Sequence, residues 1–173
     1  MSSVLSIAKV ALRNVFEAFP SEAARRAIAG INNRVLGKTD GTFTLAGLAA
    51  GNAGTAGIAV ANALNYIIDG KKYAGTAWAD KPIPTSLGTQ GTGCYCKYLV
   101  SYGTDGALTF TKGNEAAGSD GAYLPDLPDE SCPIGFFVIQ TGATHYTAGV
   151  GAPATGTTTV GYYDLVSMPI TEH

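Results

Sequence analysis

The sequence predicts a mainly β protein: an antiparallel β-sandwich or barrel domain preceded by two short N-terminal helices and an extended Ala/Gly-rich arm. From residue 63 onward, short β-prone runs recur between glycine- and proline-rich turns, at a spacing typical of sandwiches and barrels. Residues 3–35 show helical periodicity instead, and alanine and glycine dominate the segment between. We therefore divide the 173 residues into a helical segment (1–37), an arm or linker (38–62) and a β domain (63–173).

Two amphipathic helices are predicted at the N-terminus. Residues 3–19 carry apolar side chains at spacings of three and four, and Pro20 then interrupts the pattern. Ser21 is a suitable N-cap for a second helix, and Gly37 is a suitable residue just beyond its end. The second helix contains a glycine and two adjacent asparagines, so we expect it to need a surface to pack against.

The segment 38–62 contains a short β-prone run, GTFTL, followed by AGLAAGNAGTAGIAVA, in which 11 of 16 residues are alanine or glycine. Such residues bury little apolar surface, and glycine loses much backbone entropy on ordering. Two interpretations stay open: a flexible arm, or an extended strand that becomes ordered only against a neighbour.

The β domain shows two hairpin signals and one strand that is apolar on both faces. Asp69–Gly70 lies between two β-prone runs, a pattern typical of a two-residue type I′ turn. CYCKYLVSY alternates, and GTDG then leads into the partner run ALTFTKG. In CPIGFFVIQT, Phe136 and Val138 alternate with Phe137 and Ile139, so a strand here has two apolar faces.

A proline-rich connector precedes this two-faced strand. Pro125, Pro128 and Pro133 punctuate it, and we expect them to keep it extended and to prevent it from pairing as a central strand. Asp126, Asp129 and Glu130 make the connector acidic and solvated. Their spacing does not match a calcium-binding loop.

Composition excludes several classes of function. The net charge is −2 and only 14% of residues are charged, so no strong field favours nucleic acid or an anionic membrane. The three cysteines lack a disulfide or zinc-binding pattern, and we expect them to be buried in a protein made in the cytoplasm. No targeting segment or membrane span is evident. A low-charge surface is typical of proteins that lie against partners in large assemblies.

The sequence contains little evidence for a catalytic site. Of the two histidines, His173 is terminal, and His145 lies in GATHYTAG with no nucleophile elbow elsewhere in the chain. GTQGTG at residues 88–93 lacks the Lys-Ser/Thr and the helix of a phosphate-binding loop. A small hydrolase using His145 is the enzymatic alternative. We predict no catalytic, metal-binding or cofactor-binding residues.

The order of these motifs resembles a group of tailed-bacteriophage virion proteins, of the capsid decoration (cement) or head-fibre type. The resemblance rests on ALNYIIDGKKY, CKYLVSYGTDGALTFTKG, LPDLPDESCPIGFFVIQTGATHYTAG and TTTVGYYDLVSMP, which together cover about residues 63–169. It implies a non-enzymatic protein located on the virion, made in the host cytoplasm and forming a symmetric oligomer. It carries over no catalytic residues.

The leading hypothesis is therefore a protein that decorates and stabilises the capsid shell, binding the major capsid protein and itself as a homotrimer or a dimer. The alternative is a tail, baseplate or head-fibre component that binds a receptor or glycan, with Trp78, Tyr162 and Tyr163 as contacts. The predicted interface residues are apolar or aromatic: Val4, Leu12, Phe16, Phe19, Ile28, Ile31, Phe43, Leu45, Phe137, Ile139, Tyr162 and Tyr163.

Overall fold

The chain divides into two compact units, Met1–Thr39 and Asp40–His173. The structure is a computed structural model that describes residues 41–42, 44–52, 56–153 and 158–165. All of these belong to the second unit. The two helices predicted for residues 1–37 lie outside the described residues.

The described residues form twelve strands and two short 3₁₀ helices, and every strand pairing is antiparallel. The strands lie in four sheets with the orders β1-β4-β5, β12-β10-β8-β9, β11-β7 and β2-β3-β6. The strand bounds are β1 Gly41–Thr42, β2 Leu48–Ala50, β3 Gly57–Val60, β4 Leu64–Ile68, β5 Lys71–Gly75, β6 Trp78–Pro82, β7 Thr89–Gln90, β8 Tyr95–Gly103, β9 Leu108–Ala116, β10 Ser131–Gln140, β11 Tyr146–Thr147 and β12 Thr159–Asp164; the 3₁₀ helices are Thr85–Leu87 and Ser119–Gly121.

The predicted β class is confirmed for this part of the chain, and its sheets are antiparallel as expected. None of the four sheets closes into a barrel: each is open, with two edge strands. Buried side chains from all four sheets belong to one hydrophobic core. The sheets therefore share a core, which the four-stranded sheet and its neighbours enclose.

Both predicted hairpins are confirmed, because each is set by local turn chemistry. Asp69 and Gly70 have φ values of 50° and 75°, the left-handed pair that a type I′ turn requires, and Ile68 pairs with Lys71 beside them. The second hairpin joins β8 to β9 through GTDG. There the Asp105 carboxylate accepts a hydrogen bond of 2.9 Å from the backbone N–H of Ala107.

The prediction for Pro133 is wrong. Strand β10 begins at Ser131, and Pro133 lies inside it, paired with Ser101 of β8. The register on the β8 side shifts between Pro133 and Gly135, which marks a β-bulge. On the other side of β10, pairing with β12 begins only at Gly135. Pro133 is accommodated because it lies at a bulge and precedes the residues of β10 that pair with β12 in the described part of the chain.

The segment predicted as an arm supplies β1, β2 and β3 of the β domain. Strand β3 pairs with both β2 and β6, and the side chains of Ala46, Ile58 and Val60 are fully buried. The Asp80 carboxylate occupies the place where a side chain on Gly51 or Gly57 would begin. The small residues therefore allow close approach, and the neighbour that orders this segment is its own chain.

Stacked tyrosines form one part of the core. The ring of Tyr66 lies between those of Tyr73 and Tyr102, with centroid separations of 5.7 and 5.3 Å. Tyr66 donates a hydrogen bond of 2.8 Å to the carbonyl of Gly103, and Tyr102 donates to the carbonyl of Thr76. These bonds satisfy hydroxyls at the ends of two fully buried side chains.

Replacement of Gly75 by alanine is expected to lower the free energy of unfolding by about 1–3 kcal/mol, the usual cost of overpacking a core. The new Cβ would lie 2.7 Å from the buried Tyr102 ring, which is stacked and hydrogen-bonded and has little room to move. Gly118→Ala is the matched control, because nothing lies within 4 Å of its Cβ position. Urea-induced unfolding measures both. Equal stabilities for the two variants would contradict the assigned packing.

Hydrogen bonds to Asp164 hold the alanine- and glycine-rich segment at the end of β12. Its carboxylate accepts hydrogen bonds from the backbone N–H groups of Gly47 and Leu48, at 3.1 and 3.0 Å. The residues joined are 116 and 117 positions apart in the sequence. A long-range, charge-assisted contact of this kind holds β2 beside the four-stranded sheet.

Asp164→Asn is expected to lower the free energy of unfolding by about 1.5–3 kcal/mol, the range for hydrogen bonds to charged groups. The amide keeps one acceptor but loses the charge and presents an N–H₂ group towards two N–H donors. Asp126→Asn, on the exposed connector, is the control and should change stability by less than about 0.5 kcal/mol. Thermal or urea unfolding of both variants tests the assignment, which fails if they unfold alike.

Candidate interaction surface

The described residues that were considered for catalysis or metal binding either have structural roles or are not grouped into a site. His145 is exposed in the loop before β11. Within the described residues no group of three or more His, Cys, Asp or Glu side chains is placed to hold a metal ion. Cys96 and Cys132 are buried, and burial raises the pKa of the Cys96 thiol, which keeps it protonated.

The glycine-rich motif at residues 88–93 is built around a buried glutamine. The side-chain amide of Gln90 donates hydrogen bonds to the carbonyls of Cys94 and Ile139, at 2.9 and 3.0 Å. Its carbonyl oxygen accepts a hydrogen bond of 3.2 Å from Tyr98. Gln90 therefore ties β7 to the end of the four-stranded sheet, a role that its sequence context does not indicate.

The connector before β10 is fixed to β9 by one asparagine. Asn114 accepts a hydrogen bond of 2.7 Å from the backbone N–H of Tyr123 and donates one of 2.8 Å to the carbonyl of Gly121. The carbonyl of Tyr123 lies where a side chain on Gly113 would begin. The Tyr123 side chain is 68% exposed, and the three acidic residues that follow it are exposed as well.

The two faces of β10 have different surroundings. Phe137 and Ile139 are fully buried in the core, where the Phe137 ring stacks on that of Tyr98 with centroids 4.9 Å apart. Phe136 and Val138 lie on the opposite face and are half-buried. The predicted two-faced strand is thus present, and its second face is left partly open to solvent.

An aromatic pair lies on this outer face. Phe136 is paired in register with Tyr163 of β12, and their rings stack with centroids 4.9 Å apart. Tyr163 is 51% exposed, and its ring extends back over Gly161, 3.0 Å from where a Cβ there would lie. Gly161 is paired with Val138. We call Phe136, Val138 and Tyr163 the outer patch.

The predicted interface residues fall into three groups. The prediction that Phe137 and Ile139 lie in an interface is wrong, because strand alternation places both side chains on the inner face, where they are fully buried in the core of their own chain. Tyr162 is half-buried against the same core, whereas Leu45 and Tyr163 are exposed at 56% and 51%. The remaining positions lie outside the described residues: Val4, Leu12, Phe16, Phe19, Ile28, Ile31 and Phe43.

Trp78 and Lys81 form a contact that no motif in the sequence indicates. The Lys81 ammonium group lies 4.3 Å from the centroid of the indole of Trp78, a cation–π arrangement within β6. Trp78 is half-buried and packs against the core. One face of its ring is therefore occupied by the Lys81 ammonium group.

Comparison with protein-family models, curated proteins and solved structures found no match to this chain. Among the described residues, no helix has the length and apolar character needed to cross a membrane.

The stack of Phe136 on Tyr163 is expected to be energetically coupled. A double-mutant cycle of Phe136→Ala and Tyr163→Ala should give a coupling free energy of about 0.5–1.5 kcal/mol, the usual value for an aromatic pair. The matched cycle of Phe136→Ala with Tyr123→Ala, an exposed aromatic residue in another segment, should be additive within about 0.5 kcal/mol. Urea denaturation of the single and double variants provides the values, and additivity in the first cycle would contradict the stacking.

Proposed function

We propose that this protein is a structural component of a tailed-bacteriophage virion, which decorates and stabilises the capsid shell through contacts with the major capsid protein and with copies of itself. The fold proposed for it is a β-sandwich, with the two predicted helices and residues 38–62 preceding and joining it. It is a homotrimer or a dimer made in the host cytoplasm, and it acts without a catalytic step or cofactor.

The observation that carries the proposal is the outer patch. Stacked, partly exposed aromatic side chains on a rigid sheet are suited to bury against a protein surface, since their shape is set before binding and little side-chain entropy is lost. Lys97, paired with Val138, is the charged residue nearest the patch in register. A patch formed by aromatic and apolar side chains fits the surface of a shell subunit better than it fits nucleic acid or an acidic ligand.

Two further features support the same function. The overall charge is low, as expected for a protein that covers much of its surface in an assembly. The motifs from residue 63 onward resemble virion proteins of the decoration and head-fibre type, and several of them now have structural roles: the Asp69–Gly70 turn, the β8–β9 hairpin and strand β10.

A second candidate is a tail, baseplate or head-fibre component that binds a receptor or glycan. It is favoured by one observation: the Tyr163 ring is stacked on Phe136 and remains 51% exposed, and exposed aromatic rings of this kind can stack against sugar rings. The contacts predicted from sequence at Trp78 and Tyr162 do not join this platform, since both side chains pack against the core.

Binding to shells assembled without this protein tests the proposal. Purified protein should co-sediment with such shells, and Tyr163→Ala should bind at least tenfold more weakly, because truncating a central aromatic anchor costs about 2 kcal/mol or more. Tyr123→Ala, which removes an exposed tyrosine from the connector, should bind within about twofold of the natural protein.

The outcomes separate the two candidates. Failure of the natural protein to co-sediment, or equal binding by the Tyr163 and Tyr123 variants, would contradict a decorating role for the outer patch. Binding to host-surface oligosaccharides that Tyr163→Ala abolishes would favour the receptor-binding candidate instead. Circular dichroism of each variant confirms that a loss of binding is not a loss of fold.

A further inference from the structure

The edge strands of the described sheets differ in how they are protected against pairing with another chain. Strand β5 presents Lys71 and Lys72 to solvent, β6 ends in Pro82, and β9 carries the Lys112–Glu115 ion pair at 2.7 Å. Strands β1, β2, β7 and β11 are two or three residues long. Charges, prolines and short length are the usual means by which proteins prevent edge-to-edge association.

Strand β12 has none of these protections over residues 159–163, TVGYY, which contain no charge and no proline. Its backbone N–H and C=O groups alternate in direction. Leu165 donates a hydrogen bond of 3.0 Å to the carbonyl of Ile134, the residue opposite it in the register. Because every second residue of an antiparallel strand bonds to the same neighbour, the backbone groups of Thr159, Gly161 and Tyr163 bond to β10. The backbone groups of Val160 and Tyr162 point away from β10.

Among the described strands, none pairs with this second edge of β12. At its C-terminal end, the segment that contains Gly47 and Leu48 approaches Asp164 through the hydrogen bonds given above. The accessible length of the edge is therefore centred on Gly161 and bounded by Asp164.

We propose that two copies of this chain pair antiparallel through β12, about a two-fold axis at Gly161. Val160 of one copy then lies opposite Tyr162 of the other, and these two pairs exchange four backbone hydrogen bonds. Moving the axis to Tyr162 would bring Val160 against Asp164, where the segment bearing Gly47 already approaches. An axis at Gly161 uses both outward-facing residues and avoids that end.

The residue at the axis supports this register. Directly opposite residues that are not hydrogen-bonded to each other approach to about 4.5 Å between Cα atoms, and two glycines leave that space free of side chains. The Tyr163 ring lies over Gly161 of its own copy, so the paired glycines would lie beneath aromatic rings from both copies. A ring covering a strand glycine is a recognised stabilising arrangement in sheets.

Pairing of this kind joins two four-stranded sheets into one of eight strands, and the two outer patches come to lie on the same face. Two patches on one rigid body bind a lattice of identical subunits with greater avidity than one. This role of the dimer in binding a shell rests on the proposed function. The pairing itself is tested in solution, without shells.

Disulfide capture tests the axis directly. Gly161→Cys places one thiol on each side of the axis, at a Cα separation compatible with a disulfide. Mild oxidation should convert most of this variant into a covalent dimer on a non-reducing gel. Thr109→Cys, on the exposed opposite edge of the same sheet, should remain uncrosslinked. Cys96 and Cys132 are buried, and both variants carry Cys94→Ala because Cys94 is only half-buried. Equal behaviour of the two variants would overturn the proposal.

Sedimentation equilibrium tests the same pairing without a new cysteine. The natural protein should have twice the 17.7 kDa mass of the chain, and Val160→Pro should reduce it to one chain, because proline removes an N–H that points to the open edge while the bonds to β10 remain. A natural protein that sediments as a monomer or trimer would overturn the two-fold pairing. A dimer that fails to bind shells would overturn the proposed function alone.

Discussion

The inner face of the four-stranded sheet must be covered, and most of the described structure follows from how this chain covers it. Tyr98 and Phe137 stack in parallel on that face, with ring planes only 4° apart, and Tyr146 and Phe110 meet them edge-on. No second large sheet is present among the described residues. Three small sheets contribute the covering side chains. The alanine- and glycine-rich segment belongs to the folded domain because its strands supply buried side chains to this core.

The same constraint explains why the outer face stays partly open. A strand with apolar residues on both faces needs two apolar surroundings. The described chain buries the inner-face residues of β10 fully and leaves Phe136 and Val138 on the outer face half-buried. There Phe136 stacks on Tyr163 of the neighbouring edge strand. The outer patch and the unprotected edge of β12 are therefore adjacent parts of one surface. The proposed binding to a shell and the proposed pairing of two copies both use this side of the four-stranded sheet.

Local signals predicted local structure, and long-range contacts decided the rest. The Asp69–Gly70 and GTDG turns were predictable because turn type depends on residues next to each other in sequence. The sequence of the alanine- and glycine-rich segment leaves a flexible arm and an extended strand both open, since its contacts are with residues such as Asp80 and Asp164 that are not its neighbours in the sequence. Of the predicted interface residues, Tyr163 is exposed beside Phe136, whereas Phe137 lies on the inner face and is fully buried. Two equally apolar faces give no indication of which one turns inward.

Residue-resolved hydrogen exchange of the isolated protein tests most directly whether the alanine- and glycine-rich segment belongs to the core. The amides of β3 that pair with β2 and β6 should be protected to nearly the same degree as those in the centre of β10, because both open only when the shared core is lost. Exchange of the β3 amides at the rate of an unstructured peptide, while β10 remains protected, would contradict this account. The segment would then be a flexible arm, one of the two interpretations that its composition left open.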